Sequence, residues 1–205
     1  MAPPRGLFVV LEGPDKSGKS TQAKLLVERL RALGRDVVHT REHGGTSFAE
    51  KIREILLSTE HKVEPMAELL LYEASRAQHT EETVRPALKA GKVVVCERYT
   101  LSTRVYQGYA RGIDMARVDA ANELATGGLK PDVTIVLDIP AGEFNTRDAG
   151  RALDRLESEP DSFRRKVREG YRKLAPKDAL ILDGRRPLEE LAALILERVT
   201  DKARA

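Results

Sequence analysis

Near its amino terminus the chain reads Gly13-Pro14-Asp15-Lys16-Ser17-Gly18-Lys19-Ser20, which fits the pattern G-x-x-x-x-G-K-[ST] of a phosphate-binding loop. An apolar, β-prone run at 7–11 precedes the loop, and the spacing predicts an amphipathic helix over 19–33 directly after it. Glycines let backbone N–H groups surround a phosphate chain, and the helix directs its positive amino terminus at the anion. The loop therefore predicts a site for a nucleoside triphosphate. The expected contacts are Gly13, Asp15, Lys16, Ser17, Gly18, Lys19, Ser20 and Thr21.

The charged and hydroxyl side chains of this loop have separate expected roles. Lys19 is expected to reach the β- and γ-phosphates, and the Ser20 hydroxyl to ligate Mg²⁺. Asp15 places a carboxylate beside phosphate anions, which is unfavourable unless Mg²⁺ or a hydroxyl group offsets its charge. Lys16 adds a second cation. From the loop alone, Lys16 is equally consistent with a role in phosphoryl transfer and with a solvated surface lysine.

The rest of the chain alternates short apolar runs with helical patterns. Strands are predicted at 7–11, 36–41, 92–96, 132–138 and 179–182. This alternation predicts an α/β fold, a three-layer sandwich of the P-loop NTPase type with a five-stranded parallel sheet covered by helices on both faces. We expect one domain over 1–205. The polar, arginine-rich stretch at about 142–157 is expected to form a lid, and Pro86 to bend or interrupt a helical region over 64–90.

Composition excludes several classes of protein. The 205 residues include 35 Lys and Arg against 32 Asp and Glu, a net charge of +3, and aromatic residues make up 4%. This balance does not predict a nucleic-acid partner. Membrane insertion is not expected, because no apolar stretch approaches the ~20 residues that a spanning helix needs. The single cysteine, Cys96, favours a reducing, cytoplasmic compartment.

An acid and an arginine follow the third predicted strand, in the run Cys96-Glu97-Arg98-Tyr99. Ligands of open parallel α/β sheets bind at the carboxyl ends of the strands. Glu97 is therefore expected to hold a Mg²⁺-bound water and Arg98 to clamp a phosphate, although an ordinary surface ion pair is the alternative. The chain has neither the Asn-Lys-x-Asp element of GTPases nor a strand ending in Asp-Glu. This favours a small-molecule kinase.

The motifs together resemble the thymidylate kinase family, which transfers the γ-phosphate of ATP to dTMP. Residues 8–22 resemble that family's opening, and 40–46 are similar to its T-R-E-P-G-G-T segment. The run at 75–79 resembles its D-R-A-Q-H helix, and 97–108 resemble D-R-Y-x-x-S-S-x-A-Y-Q-G. Residues 153–157 are like the D-R-x-E that closes its lid. Mg²⁺ with ATP as phosphate donor, and a homodimer packed through long helices, are what this resemblance implies.

The resemblance also implies how the base and sugar of dTMP are held. Tyr72 would stack on the thymine and Arg76 would hydrogen-bond it. Thr103 and Gln107 would complete the contacts to base and sugar, and Tyr106 would crowd the 2′ position and so favour deoxyribose.

By the same resemblance, Asp15 would meet the 3′-hydroxyl, while Arg53 and Arg98 would hold the acceptor phosphate. Glu42 is also expected in the acceptor site. Two departures affect this region, since His43 stands where the family has a proline and Glu97 where it has an aspartate.

Catalysis is expected to depend on cations. Phosphoryl transfer has a loose transition state with charge on the equatorial oxygens, and a phosphate acceptor is already an anionic nucleophile. No general base is therefore required. The expected catalytic cations are Lys16, Lys19 and Arg98, and the resemblance implies that the lid residues Arg147 and Arg151 also close over the transferring phosphoryl group.

Two alternatives remain open. A deoxynucleoside kinase, whose own motif is Glu-Arg-Ser, would have to deprotonate a neutral 5′-hydroxyl, with Glu42 as the candidate base. A non-catalytic nucleotide-binding module could use the same fold, and the replacement of Asp by Glu97 is its only support.

Overall fold

The computed structural model describes residues 6–146 and 153–204. Its centre is a sheet of five strands in the order β2-β3-β1-β4-β5, in which every neighbouring pair is parallel. The strands are β1 (Phe8–Glu12), β2 (Val37–Arg41), β3 (Val93–Glu97), β4 (Val133–Asp138) and β5 (Leu180–Asp183). The predicted five-stranded parallel α/β fold is confirmed.

Helical segments connect the strands. They are α1 (Lys19–Ala32), α2 (Ser47–Leu57), α3 (Pro65–His79), α4 (Arg85–Lys89), α5 (Thr100–Thr103), α6 (Met115–Thr126), α7 (Glu143–Thr146), α8 (Asp161–Leu174) and α9 (Leu188–Arg204). The helix predicted over 19–33 is α1. No helix within the described ranges combines the length and the apolar character that crossing a bilayer requires.

Successive side chains of a strand point to opposite faces of the sheet. Here the apolar side chains on each face pack against helical segments, so both faces are covered. Val9 and Leu11 of β1 pack in one core cluster with residues of α1 and α9, among them Leu26 and Ile195. Phe8 and Val10 belong to a second cluster that includes Val84 and Leu88, and all four of these side chains are buried. The central strand is thus apolar on both sides, as the three-layer prediction requires.

The predicted interruption at Pro86 takes the form of a π-helical turn. Regular α-helix ends at His79, the π-helical turn spans Thr80–Val84, and α4 begins at Arg85. Proline has no N–H to donate and its ring collides with the carbonyl four residues before it. The wider π-helical turn lets the chain pass Pro86 while it remains helical.

Candidate active site

The phosphate-binding loop connects β1 to α1 at the carboxyl edge of the sheet. Gly13 and Gly18 adopt φ angles of 138° and 98°, in the region that favours glycine. A Cβ atom on Gly13 would lie 2.4 Å from the carbonyl oxygen of Leu137, so this glycine also allows β4 to approach. The helix that follows begins at Lys19. Spacing and backbone geometry therefore agree in this loop.

Lys19 folds back over the loop. Its Nζ donates to the carbonyl oxygens of Gly13 (3.0 Å) and Pro14 (2.6 Å). Burial of the ammonium group, together with the nearby Arg98 cation, lowers the pKa of Lys19 to about 7. These contacts hold the Lys19 ammonium group in the middle of the loop, and its contact with phosphate oxygens stays a prediction.

Ser20 and Glu97 meet at the foot of α1, where the Ser20 hydroxyl donates a hydrogen bond to Glu97 Oε2. His39 Nε2 lies 3.0 Å from the other carboxylate oxygen of Glu97. Burial opposes ionisation of Glu97, and the hydrogen bonds from His39 and Ser20 outweigh that effect and lower its pKa. A hydroxyl oxygen beside an ionised carboxylate is a donor set that Mg²⁺ accepts. Both residues predicted to bind the metal are therefore neighbours.

A cleft lies beside the loop, and the space within it is about 600 Å³ when the part open to solvent is included. We call it the acceptor cavity. All the residues predicted to bind the acceptor line it, namely Asp15, Glu42, Arg53, Tyr72, Arg76, Arg98, Thr103, Tyr106 and Gln107. His43, Leu57, Ser102, Asp154 and Leu156 complete the lining. The structure brings the predicted residues together, and their contacts with a nucleotide stay predictions.

Arg98 joins the loop to the acceptor cavity. Its Nη1 donates to Gly13 O (3.0 Å) and to the Tyr171 hydroxyl (3.0 Å), and its Nη2 pairs with Asp15. Burial alone would raise the pKa of the Asp15 carboxyl, but the Arg98 and Lys19 cations outweigh it and lower that pKa. Tyr106 donates to the second carboxylate oxygen of Asp15 at 2.8 Å. The loop carboxylate is thus paired by residues of the acceptor side.

Arg76 is fixed at the opposite end of the cavity by buried partners. Its Nε donates to Glu42 Oε2 (2.7 Å), and its Nη1 donates to Glu73 Oε1 (2.6 Å) and Thr103 Oγ1 (2.8 Å). Burial works against the charge, but the two carboxylates more than compensate and raise the pKa of Arg76. The second oxygen of Glu42 lies 3.1 Å from His79 Nδ1. Both carboxylate oxygens of Glu42 are therefore bonded to protein side chains.

Tyr72, His43 and Arg53 form one wall of the cavity. The rings of His43 and Tyr72 pack edge to face with centroids 4.7 Å apart, and Arg53 Nη1 donates to the His43 carbonyl oxygen at 3.1 Å. Burial, with the Arg53 and Arg98 charges, lowers the pKa of His43 well below its usual value. The imidazole is therefore neutral near pH 7, and it contributes no charge to a site already lined by arginines.

The predicted lid is described only in part. Arg147 and Arg151 lie outside the described residues, so their roles stay predictions. Lys16 Nζ lies 4.3 Å from the centroid of the Phe144 ring, in the segment that enters the lid. At the carboxyl end of the predicted lid, Asp154 and Glu157 form a reciprocal turn, in which Asp154 Oδ1 accepts from Glu157 N (2.9 Å) and Glu157 Oε2 accepts from Asp154 N (3.2 Å).

Several residues of the site were missed by the sequence analysis. Glu12, at the end of β1, is fully buried and accepts from Tyr99 N (2.8 Å) and Ser102 Oγ (2.6 Å). Tyr171 of α8 bonds to Ser102 at 2.8 Å as well as to Arg98. An acid that ends an otherwise apolar buried strand was a signal for Glu12. Tyr171 carried no such signal, because nothing in its helix distinguishes it from a core aromatic residue.

Comparisons with known proteins show which family the chain resembles over most of its length. Residues 11–195 match the family model described as thymidylate kinase. A thymidylate kinase from Caldanaerobacter subterraneus subsp. tengcongensis is 44% identical over 200 residues, covering 96% of this chain and 96% of the relative. One from Pelotomaculum thermopropionicum is 47% identical, covering 89% of this chain and 87% of the relative. One from Pseudomonas fluorescens is 45% identical, covering 91% of each.

Proposed function

This chain belongs to the thymidylate kinase family, and we propose that it transfers the γ-phosphate of ATP to dTMP, giving dTDP and ADP. Such a reaction needs two anionic nucleotides side by side, one on the phosphate-binding loop and one in the acceptor cavity. Arg98 supports this arrangement because its guanidinium donates to Gly13 of the loop and also lines the cavity.

The choice of dTMP as the acceptor rests on which charged groups of the cavity already have protein partners. Arg53 and Arg98 provide two cations for an anionic group. Glu42, the candidate base of a deoxynucleoside kinase, is buried and bonded to Arg76 and His79 through its two oxygens. A general base needs a carboxylate oxygen within reach of the proton that it removes. The site therefore favours an acceptor that brings its own anionic nucleophile.

The reaction follows from this charge distribution. An oxygen of the dTMP phosphate attacks the γ-phosphorus as the bond to the β-phosphate oxygen breaks, and ADP leaves with that oxygen. Charge on the transferring group is spread over its equatorial oxygens, so fixed cations lower the barrier most. Lys19 and Arg98 provide such charge from the loop and the acceptor side, and Lys16, Arg147 and Arg151 are proposed to add to it.

We propose that Mg²⁺ accompanies ATP at Ser20 and Glu97. The ranges 6–146 and 153–204 contain no cluster of three or more His, Cys, Asp or Glu suited to a metal ion. A magnesium ion in a kinase needs few protein ligands, because phosphates and waters fill most of its coordination sphere. When bound, the ion supplies positive charge to the β- and γ-phosphates. The Ser20 hydroxyl and the Glu97 carboxylate would hold it from the protein side.

An assay of ADP release with ATP, Mg²⁺ and a set of acceptors tests the proposal. We expect turnover with dTMP and none with thymidine, because Glu42, the candidate base for a neutral 5′-hydroxyl, has both carboxylate oxygens bonded to Arg76 and His79. Turnover of thymidine but not of dTMP would contradict the proposed acceptor. If no acceptor is turned over, the chain is a non-catalytic nucleotide-binding module.

A homodimer and a cytoplasmic location complete the proposal. Large apolar side chains remain exposed on α3 and α6, with Leu70 at 59% and Leu124 at 88% exposure. We propose that these side chains form part of an interface with a second copy. Leu70→Glu should convert a dimer to a monomer in sedimentation velocity, and a wild-type monomer would refute the interface. The cytoplasm is proposed because Cys96 is the single cysteine and its thiol is buried and unbridged.

A further inference from the structure

Glu68 of α3 is a fully buried carboxylate close to the acceptor cavity that does not line it. It accepts hydrogen bonds from Gln107 Nε2 at 2.7 Å and from Arg111 Nη2 at 3.2 Å. It also forms an ion pair with Arg155 Nη1 at 2.6 Å. Tyr72 and Arg76, which line the acceptor cavity, lie one and two helical turns after Glu68 on the same helix, α3. Glu68 is therefore on the same face of α3 as these two residues.

The contact with Glu68 fixes which end of the Gln107 side-chain amide faces the cavity. The oxygen and nitrogen ends of an amide occupy nearly the same space, and only the hydrogen-bond network decides between them. Gln107 Nε2 donates to Glu68 Oε1 at 2.7 Å, so the nitrogen end of the amide faces Glu68. Gln107 lines the acceptor cavity, and Oε1 is the end of its amide that does not face Glu68. Gln107 therefore offers a hydrogen-bond acceptor, its Oε1, to a ligand in the cavity.

Arg76 presents the opposite polarity to the same cavity. Its Nη2 donates to the Tyr99 carbonyl oxygen at 3.1 Å and carries a second N–H. A guanidinium group has donors and no acceptor. The cavity thus offers one fixed donor and one fixed acceptor to the edge of a base. Thymine and uracil have a carbonyl oxygen next to an N–H at N3, whereas cytosine has an amino group next to an unprotonated N3.

We propose that Glu68 is a positioning residue that sets base specificity, because it holds the Gln107 amide in the orientation that accepts from an N3–H and repels cytosine. The inference rests on the proposed function, since it assumes a pyrimidine nucleotide in the acceptor cavity. Arg111 and Arg155 pair with the Glu68 carboxylate, while the Gln107 amide keeps its own contact with it. Specificity is then controlled by a residue that touches no substrate.

The test compares dTMP, dUMP and dCMP in wild type and in Glu68→Gln. The new amide can offer either its oxygen or its nitrogen to Gln107, so the Gln107 amide is free to turn over. We expect the ratio of kcat/KM for dTMP to kcat/KM for dCMP to fall by about tenfold or more. The loss for dTMP should appear mainly as a higher KM, and dUMP should follow dTMP.

Arg111→Gln is the matched control, because it removes a charged partner of Glu68 and leaves the contact with Gln107 in place. It should lower the melting temperature and leave the dTMP-to-dCMP ratio unchanged. An unchanged ratio in folded Glu68→Gln, or an equal loss in Arg111→Gln, would overturn the proposal.

Gln107→Leu keeps the experiment decisive if Glu68→Gln does not fold. It removes the amide while Glu68 stays, and it should reduce the same ratio; an unchanged ratio overturns the proposal. Wild-type activity separates this inference from the proposed function. If wild type does not phosphorylate dTMP, the proposed function fails. If it does and these ratios do not move, only the role of Glu68 fails.

Discussion

The phosphate-binding loop and the acceptor cavity are neighbours that are stabilised by different means. The loop keeps its shape through the backbone, with Gly13 and Gly18 at positive φ and Lys19 donating to loop carbonyls. The acceptor cavity keeps its shape through buried ion pairs, such as that of Arg76 with Glu42. A loop of backbone N–H groups fits any polyphosphate chain. Side-chain hydrogen-bond donors and acceptors at fixed positions fit only one kind of nucleotide substrate. Substitutions in the two regions should therefore have different kinetic signatures.

Removing Arg98, the residue that joins the two regions, should have the largest effect. Arg98→Ala takes a cation from the acceptor phosphate and leaves Asp15 without its ion-pair partner. We expect kcat/KM for dTMP to fall by about a hundredfold, the usual scale for losing one electrostatic contact to the transition state. Steady-state kinetics with each substrate varied in turn measures this effect, and KM for ATP should change less than KM for dTMP.

Arg117→Ala is the control for that variant, because Arg117 is an exposed arginine on α6 and should behave as wild type. An unchanged kcat/KM in Arg98→Ala would refute the clamp. Equal increases of both KM values would mean that Arg98 stabilises the loop more than it binds the acceptor.

Lys16→Gly should affect the loop alone and have a smaller effect. Lys16 is a non-glycine residue at a φ of 60°, a conformation that costs about 1–2 kcal/mol for residues with a Cβ atom. Glycine relieves this strain, so the melting temperature should stay the same or rise. We expect kcat to fall by about tenfold, because a cation beside the transferring phosphoryl group is lost. KM for dTMP should not change.

Lys24→Ala, an exposed lysine of α1, is the control for Lys16→Gly. If kcat of Lys16→Gly equals that of wild type, the transition-state charge is left to the lid arginines Arg147 and Arg151. The proposed role of Lys16 would then be wrong.

The same contrast explains how much the sequence could predict. The loop is local, so spacing alone identified Gly13, Lys19 and Ser20. The parallel sheet followed from apolar runs alternating with helices. The partners of Arg76 are distant in sequence, since Glu42 is 34 and Asn122 is 46 positions away. Spacing alone does not pair residues over such separations, and here resemblance to a family placed Arg76 while Glu73 and Asn122 went unnoticed.

Glu97 illustrates a limit of a different kind. The sequence predicted Glu97 as a metal-site residue from its position after a buried strand, but its second partner was missed. His39 lies on the neighbouring strand β2, and its Nε2 lies 3.0 Å from Glu97 Oε1. Strand order decides this contact, because β2 and β3 are neighbours in the sheet although α2, α3 and α4 separate them in the chain. Only the topology brings the two residues together.

The smallest expected effect concerns the acceptor cavity alone. It is the change in the free energy of unfolding with pH that His43 causes. His43 is buried in the cavity wall with its pKa well below the usual value, and its Nε2 has no hydrogen-bond partner among the described residues. A histidine in the unfolded chain titrates near about 6.5. Below that pH the unfolded state takes up a proton that the folded state refuses, so the free energy of unfolding falls as pH decreases. Above about pH 6.5 the contribution of His43 is constant.

His43→Gln should remove this dependence. Between pH 6.5 and 5.5 the wild type should lose roughly 1 kcal/mol more stability than the variant, since one proton taken up by the unfolded state alone corresponds to about 1.4 kcal/mol per pH unit at most. Urea unfolding of both proteins at pH 7.0 and 5.5 measures the difference. His61→Gln, an exposed histidine, should keep the wild-type profile. If His43→Gln loses as much stability as wild type does, His43 takes up a proton in the folded protein as readily as in the unfolded chain. Burial in the cavity wall would then not lower its pKa.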